Sequence, residues 1–484
     1  MQDSHRQINI RQLLSNHWGI IVILLLTPLL LYAVWPILPT HDDWAGTTKP
    51  DFNPFFIKER FLFYGYHWRP FDAIIGWIVG RNPCVLWPAF NHYVVVIGHA
   101  ICAFTLYELL TTLSFGKEAK NIAVIYFFVA PATMATVSAI DSMNQVYALV
   151  FGMISFLLYV KMKRFQYVAW IVSIIIATWW KENGLMWALI VPILAYGFDF
   201  IDKQKLKKDV CIGIGVMMAY ALAIFLLPKD IVIHPEYEPG PMKMVKNVIK
   251  FLFSTFITAD YIYLLHKPSR NLLAAFLTFL LTIPFLYFIF IRNCRRFLSK
   301  KMICTMFCLL IAVGPHLGTV FSMMHTYAGL ALLAIIIAHG IDYIQQLKPL
   351  CLSFLLFCVA AIFIDLHLIL SSVDTSLVGK EMAQEAIRKT GTPVESVYVI
   401  IIEDDYPKLS SFCVIPNEAF GWGHAAKFET NFQWPKNIQD TIISRTPQAE
   451  MEAKRIAQSI LNKDSADCVW IVNHQDIEVI RNKP

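Results

Sequence analysis

Two adjacent carboxylates, Asp42 and Asp43, follow the first apolar run of the chain, at a predicted membrane edge. A carboxylate in such a place can act as a general base on an acceptor hydroxyl, and a pair of carboxylates can bind a divalent cation. His41 and Trp44 flank the pair and add an imidazole and an aromatic ring of the kind found at membrane interfaces. An ordinary solvated loop has the same composition, and the sequence leaves this choice open.

A second polar cluster contains Tyr66, His67 and Arg69, set among aromatic residues. The guanidinium of Arg69 offers a fork of donors that suits a phosphate. His92 and His99 follow in an apolar run, seven residues apart, so they lie on one face of a helix. Because polar residues in contact with lipid are costly, we expect this face to point into the bundle or a wet cavity. The alternative is an interhelical hydrogen bond for the histidines and an interface anchor for Arg69.

The third cluster is a charged pair, Lys181 and Glu182, between two short apolar segments. The Lys181 ammonium can neutralise a lipid phosphate and Glu182 can hold that ammonium in place, although a plain turn between helices explains the same residues. His316 and His325 are weaker candidates of the same kind.

These clusters belong to a membrane protein. The chain has 484 residues, of which 57% are hydrophobic and 16% charged, whereas soluble domains carry about 25% charged residues. This composition excludes a cytosolic enzyme. The net charge of +6 comes from Lys and Arg that lie between apolar runs, so it carries orientation information and predicts no nucleic-acid partner. The ten cysteines include no CxxC pair, so no zinc or redox motif is predicted.

The apolar runs predict an all-α polytopic bundle of about eleven transmembrane helices. The spans are placed at residues 18–38, 85–112, 121–139, 145–160, 166–180, 184–201, 210–227, 271–291, 302–321, 326–344 and 350–371. Lys and Arg cluster in alternate loops, which predicts a cytoplasmic N-terminus and, with an odd number of spans, a C-terminus outside. Two long loops, 39–84 and 228–270, then face the exterior, and the stretch Val245–Phe256 is predicted to lie at the membrane interface.

A change to a more polar composition near residue 372 predicts a small C-terminal α/β domain. The chain therefore divides into a transmembrane catalytic domain, 1–371, and a periplasmic domain, 372–484. Within the latter, helical and β-branched patterns predict two helices and two strands. The helices are Met382–Lys389 and Gln448–Asn462, and the strands are Ser396–Ile402 and Cys468–Val472.

Taken in order, the polar clusters resemble the motifs of the GT-C superfamily of membrane glycosyltransferases. They are most similar to the O-mannosyltransferases that carry tetratricopeptide repeats and to the bacterial relatives of these enzymes. The correspondences are the acidic pair Asp42-Asp43, the element Trp68-Arg69-Pro70-Phe71, the spaced pair His92 and His99, and Lys181-Glu182-Asn183-Gly184. The resemblance covers roughly residues 35–200. Val95 stands where the family has Asn, Ala130 precedes Pro131 where the family has His, and the α/β domain replaces the repeats.

The resemblance implies an inverting glycosyltransferase of the bacterial inner membrane that uses a polyprenyl-phosphate sugar as donor. Asp43 or Asp42 would be the general base, and Arg69 and Lys181 would bind the donor phosphate. The sugar or acceptor pocket would include His41, Tyr66, His67, His92, His99, Glu182 and His325. No cofactor is required for this donor type, although the aspartate pair leaves a divalent cation open. The acceptor, a glycan, a glycolipid or a protein, is not specified by the sequence.

Two other functions fit parts of the sequence. A glycan polymerase or ligase that uses a lipid-diphosphate donor also has many spans and outer loops with Arg and His, and the loop 228–270 suits it. A transporter or flippase of lipid-linked glycan needs polar residues near the middle of several spans, or broken helices in repeated halves. The polar residues here lie at the predicted outer rim instead, which favours a transferase.

Overall fold

A computed structural model describes most of the chain. The described residues are 15–39, 69–71, 92–226, 240–252, 276, 280–291, 299–318, 323–342, 347–403, 416–431 and 433–481. Among them the chain is mostly helical, with one four-stranded sheet near the C-terminus.

The first part of the chain forms a series of apolar helices. They are α1 (Trp18–Val34), α2 (His92–Thr112), α3 (Lys117–Val129), α4 (Met134–Val137), α5 (Met143–Lys161), α6 (Gln166–Trp180), α7 (Trp187–Gly197) and α8 (Lys203–Leu226). The chain bends by 47° between α3 and the turn Pro131–Thr133 that leads into α4. The bend occurs there because proline has no backbone N–H to donate and disfavours helical geometry at Ala130, which is extended. A second 3₁₀ turn, Glu182–Met186, separates α6 from α7.

Four longer or more amphipathic helices follow. They are α9 (Pro241–Leu252), α10 (Lys300–Leu317), α11 (Tyr327–Ile341) and α12 (Leu347–Thr390). Residues 280–291 are also helical and end in the π turn Tyr287–Ile291, and a 3₁₀ turn, Met323–Thr326, precedes α11.

The chain is a multi-pass membrane protein. Among the described residues, six helices are long and apolar enough to cross a membrane, or seven if α3 and α4 form one bent span. Described helical residues lie at all eleven predicted positions, but α1, α6 and α7 have only 17, 15 and 11 residues, and the position 271–291 is described only in part. The count of eleven is therefore not confirmed, whereas the predicted class, a helical membrane bundle with a small C-terminal α/β domain, is confirmed.

Helix α11 lies at the centre of the bundle and α8 at its edge. In the apolar stretch of α11, 94% of the residues are buried inside the protein, against 11% for α8. Helices α10 and α3 pack against α11, and the buried rings of Phe127 of α3 and Tyr327 of α11 lie 5.6 Å apart. The exposed apolar side chains of α8, such as Leu222 and Phe225, are typical of a surface that faces lipid.

Helix α9 is amphipathic and packs on α10. Asn247 Nδ2 donates a hydrogen bond to the carbonyl oxygen of Leu317 over 2.8 Å, and Phe251 is buried. Val245 and Ile249 are exposed instead, which is consistent with a helix at the membrane interface. The predicted interfacial stretch begins inside α9, and its residues 253–256 lie outside the described part.

Three of the basic loops meet at one end of the bundle. Lys300, at the start of α10, forms an ion pair of 2.6 Å with Asp199, which follows α7. The ring centroids of Phe115, after α2, and Phe198 lie 5.7 Å apart. These three loops thus lie at one end of the bundle, as the alternation of Lys and Arg predicts. The side of the membrane that this end faces stays a prediction.

The C-terminal region contains a mixed sheet of order β2-β1-β3-β4, in which β1 is parallel to β2 and β3 and β4 is antiparallel to β3. Its elements are β1 (Ser396–Ile402), α13 (Pro416–Phe420), α14 (His424–Glu429), β2 (Asn437–Ile443), α15 (Ala449–Asn462), β3 (Cys468–Asn473) and β4 (Asp476–Arg481). One face of the sheet packs on the end of α12 through Ala383 and Ala386, and the other packs on Ala453 and Ala457 of α15. Both predicted strands and both predicted helices are present.

Candidate functional site

Arg69 and Glu182 form an ion pair that joins two of the predicted clusters. Arg69 Nε donates to Glu182 Oε1 and Oε2 over 2.9 and 2.8 Å, and Nη2 donates to Oε2 over 2.5 Å. The side chains are only 14% and 31% exposed, and they lie 113 residues apart in sequence. This two-pronged contact fixes the plane of the guanidinium.

Aromatic packing holds the Arg69 segment against the end of α6. The ring of Phe71 lies 5.6 Å from that of Trp179 and 6.1 Å from that of Trp180, and Tyr147 of α5 stacks on Trp180 at 4.7 Å. The position of the guanidinium is therefore set by ring contacts on one side and by the Glu182 carboxylate on the other.

The break between α6 and α7 places Lys181 and Glu182. Lys181 leaves the helix in an extended conformation, φ −158° and ψ 144°, and the turn Glu182–Met186 begins directly after it. Gly184 packs so closely on α6 that an added Cβ would lie 2.4 Å from the carbonyl carbon of Ala177. Only glycine fits at this contact, and the contact turns the charged pair toward the neighbouring helices.

The N-terminal end of α5 supplies two amide side chains to the same place. Lys181, which is 8% exposed, donates from Nζ to Asn144 Oδ1 over 3.3 Å. Asn183 Nδ2 donates to Gln145 Oε1 over 2.9 Å. Asn144 and Gln145 are not among the residues predicted from the sequence, because polar residues at the start of a helix are commonly caps.

Two histidines complete the cluster. His316 of α10 and His325 of the turn before α11 stack with their ring centroids 4.1 Å apart and their planes within 9°. His316 lies within electrostatic range of Lys181, Glu182 and Arg69. The structure thus brings together Arg69, Lys181, Glu182 and His325, four of the predicted site residues.

We call the set Arg69, Lys181, Glu182, His316 and His325 the polar cluster. Among these five described side chains two are cations and one is a carboxylate, and all three charged groups are partly buried. Interactions between charges are stronger in such a place than in bulk water, since the effective dielectric constant is lower. The polar cluster is therefore suited to holding an anion at the end of a bundle of apolar helices.

His92 and His99 are fully buried and lie on the inner face of α2, as their spacing predicts. His99 Nε2 is 3.1 Å from the carbonyl oxygen of Phe128, and His99 Nδ1 is 2.8 Å from the hydroxyl of Tyr327. His92 Nε2 is 3.0 Å from the carbonyl oxygen of Ile37. The two His99 contacts are interhelical hydrogen bonds, as the alternative predicts, whereas His92 contacts the chain that follows α1. A role for either histidine in a sugar pocket stays a prediction.

The remaining predicted residues, His41, Asp42, Asp43, Tyr66 and His67, lie outside the described residues. The general base and a cation at the aspartate pair therefore stay predictions. In the part of the chain that is described, no group of three or more His, Cys, Asp or Glu side chains is arranged to hold a metal ion.

No family model matches the chain, and no curated protein matches it. Among solved structures, the chain is similar to the crystal structure of ArnT from Cupriavidus metallidurans bound to undecaprenyl phosphate. The two share 9% sequence identity with a TM-score of 0.49, over 95% of this chain and 97% of that one.

Proposed function

We propose that this chain is a membrane glycosyltransferase that moves a sugar from a polyprenyl-phosphate donor to an acceptor hydroxyl with inversion. The observation that carries the proposal is the convergence of Arg69, Lys181 and Glu182 at one end of a bundle of apolar helices. A polyprenyl phosphate held there would have its lipid tail among the apolar helices and its phosphate beside the two cations. The resemblance of the motifs to GT-C enzymes supports a sugar as the group transferred.

The cations act on the leaving group. As the bond between the anomeric carbon and the phosphate oxygen breaks, the phosphate changes from a monoanionic diester to a dianionic monoester. Arg69 and Lys181 stabilise this added charge in the transition state, and each such contact contributes a few kcal/mol, on the order of one oxyanion-hole donor. Because these two side chains meet the dianion, the reaction needs no metal ion.

The other half of the reaction takes place on the acceptor. Asp43 or Asp42 removes the proton of the acceptor hydroxyl, and the resulting oxygen attacks the anomeric carbon from the face opposite the phosphate. We favour Asp43, since it is farther from the first span. The acceptor is a glycan, a glycolipid or a protein, and we place the enzyme in a bacterial inner membrane with the polar cluster on the periplasmic side.

Transfer by the purified chain tests this proposal. The chain is incubated with radiolabelled polyprenyl-phosphate sugars and a membrane extract as acceptor. We expect labelled product with the wild type, and a rate lower by about 10²- to 10³-fold for Arg69→Gln and Lys181→Gln, the loss typical of one oxyanion-hole donor. Lys300→Gln is the matched control, because Lys300 lies at the opposite end of the bundle in its ion pair with Asp199.

The outcomes separate the competing functions. Transfer only from lipid-diphosphate donors would replace the proposal by a glycan polymerase or ligase. Movement of intact lipid-linked glycan across vesicles without transfer would make the chain a transporter. Full activity in Asp42→Asn/Asp43→Asn would keep the transferase and remove the aspartates as its base.

A further inference from the structure

Three polar atoms beside the charged residues of the polar cluster are buried without a hydrogen-bond partner among the described residues. They are Gln145 Nε2, Asn183 Oδ1 and His316 Nε2. Gln145 is only 1% exposed, so bulk water does not reach it. A buried polar atom left without a partner costs about 1–3 kcal/mol, and such atoms are rare in native proteins. Two of them belong to amides that contact each other, and His316 lies within electrostatic range of the adjacent Lys181 and Glu182. Their grouping points to a group that binds there.

The two amides identify the chemistry of that group. Asn183 Nδ2 donates to Gln145 Oε1, and the reciprocal bond from Gln145 Nε2 to Asn183 Oδ1 is not formed. One donor and one acceptor are therefore left over. Exchanging nitrogen and oxygen in both amides would again leave one donor and one acceptor, so the conclusion does not depend on how the amides are assigned.

A hydroxyl group satisfies such a pair, because it donates and accepts at the same time. A fully ionised phosphate oxygen only accepts, so the phosphate of the donor does not account for Asn183 Oδ1. His316 Nε2 offers one further contact, as donor or acceptor according to its tautomer. The ring of His325 stacked on His316 restrains the plane of that imidazole.

We propose that Gln145, Asn183 and His316 form a hydroxyl-binding subsite that recognises the sugar of the donor. This inference rests on the proposed function. The subsite lies next to the proposed phosphate contacts in sequence. Gln145 directly follows Asn144, which accepts a hydrogen bond from the Lys181 ammonium, and Asn183 lies two residues after Lys181. Phosphate and sugar are thus read by neighbouring residues of the same two segments.

Binding measurements separate the two contributions. The probes are undecaprenyl phosphate and its hexosyl and pentosyl esters, titrated into the full-length detergent-solubilised protein. We expect at least one ester to bind the wild type tighter than the bare phosphate does. Gln145→Met should weaken binding of that ester about tenfold, which corresponds to the loss of one hydrogen bond to a polar partner. Binding of the bare phosphate should be unchanged.

The matched control is Gln166→Met, at the first residue of α6, where Gln166 Nε2 donates to the carbonyl oxygen of Tyr159 over 2.8 Å. It removes the same kind of side-chain amide at the end of the bundle where the basic loops gather, away from the polar cluster, and should bind every probe as the wild type does. Equal loss of ester and bare-phosphate binding in Gln145→Met would overturn the subsite and show a structural role.

A second measurement needs no variant. The tightest ester is resynthesised with each sugar hydroxyl replaced in turn by hydrogen. We expect at least one deoxy ester to bind the wild type about tenfold more weakly. Equal binding of all deoxy esters would overturn the subsite while leaving the proposed function intact. Unchanged undecaprenyl phosphate binding in Arg69→Gln would count against the proposed function itself.

Discussion

At the scale of single residues, the polar cluster contains two partly buried cations that have polar partners. Lys181 is 8% exposed, and the side chain of Arg69 is 14% exposed. A buried charge costs free energy unless it is paired. Glu182 compensates part of that charge and orients the guanidinium, while Asn144 accepts from the ammonium.

Replacing Arg69 by lysine is therefore not a mild change. A lysine ammonium is a compact charge and cannot hold the Glu182 carboxylate by two parallel hydrogen bonds while presenting a planar edge to a phosphate. We expect Arg69→Lys to weaken binding of undecaprenyl phosphate by about tenfold or more, measured by titration of the purified protein. Arg164→Lys is the control, because Arg164 lies in the loop between α5 and α6 at the opposite end. A wild-type affinity in Arg69→Lys would remove Arg69 from phosphate binding.

The sequence predicts single residues well where a charge interrupts an apolar run. Lys181 and Glu182 stand out for that reason, and the spacing of His92 and His99 correctly predicts a common buried face. Gln145 was missed because an uncharged amide at a helix start has an ordinary role as a cap. The ion pair between Arg69 and Glu182 could not be predicted either, because a single sequence contains no signal that two residues 113 positions apart are in contact.

At the scale of elements, the interruption between α6 and α7 is the feature that builds the site. A continuous helix would direct residues 181 and 182 about 100° apart around its axis. Extended geometry at Lys181 followed by a tight turn places both beside α5 and α10 instead. The close approach of Gly184 to Ala177 makes this turn specific to glycine.

Gly184→Ala should therefore impair function without touching a ligand. The added methyl group would lie 2.4 Å from backbone of α6, so the turn must shift and carry Lys181 and Glu182 with it. We expect transfer to fall by about 10²-fold, the cost typical of misplacing catalytic groups by an ångström. Gly215→Ala in α8 is the control, because no atom lies within 4 Å of the added carbon. Equal activity of the two variants would show that the turn does not position the charges.

Prediction of elements succeeded where burial is strong. Strands β1 and β3 are almost wholly buried, and their β-branched runs identified them. Strand β2 was missed because it is exposed along most of its length and its sequence, Asn-Ile-Gln-Asp-Thr-Ile-Ile, is polar at the start. Strand β4 has a similar mixed pattern and pairs with β3 through a tight turn.

At the scale of the whole molecule, α12 connects the bundle to the α/β domain. It has 44 residues, so it is about 66 Å long, roughly twice the thickness of a bilayer core. Its C-terminal part belongs to the core of the sheet domain, where an added Cβ at Gly379 would lie 2.7 Å from Ala419 Cβ. Ser376 of the same helix accepts from the backbone N–H of Leu38 over 2.9 Å, at the end of α1. One helix thus contacts both parts of the chain.

The two ends of α6 differ in charge and in role. Its first residue, Gln166, accepts from Lys205 Nζ over 2.8 Å, at the end where the basic loops gather. Its last turn leads into Lys181 and the polar cluster. Basic loops of membrane proteins face the cytoplasm, so the polar cluster is predicted to face the opposite side. That side is also where lipid-linked donors and cell-envelope acceptors would meet the cluster.

Reporter fusions test this orientation. Alkaline phosphatase, which is active only outside the cytoplasm, is fused after Pro484, and a fluorescent protein that folds only in the cytoplasm is fused at the same place. With the basic loops inside and α12 leading outward, we expect an active phosphatase and no fluorescence. The control is a fusion after Lys163, in the loop between α5 and α6, where the two reporters should give the reverse result. Fluorescence at Pro484 would place the α/β domain in the cytoplasm and overturn the predicted topology, and with it a periplasmic acceptor.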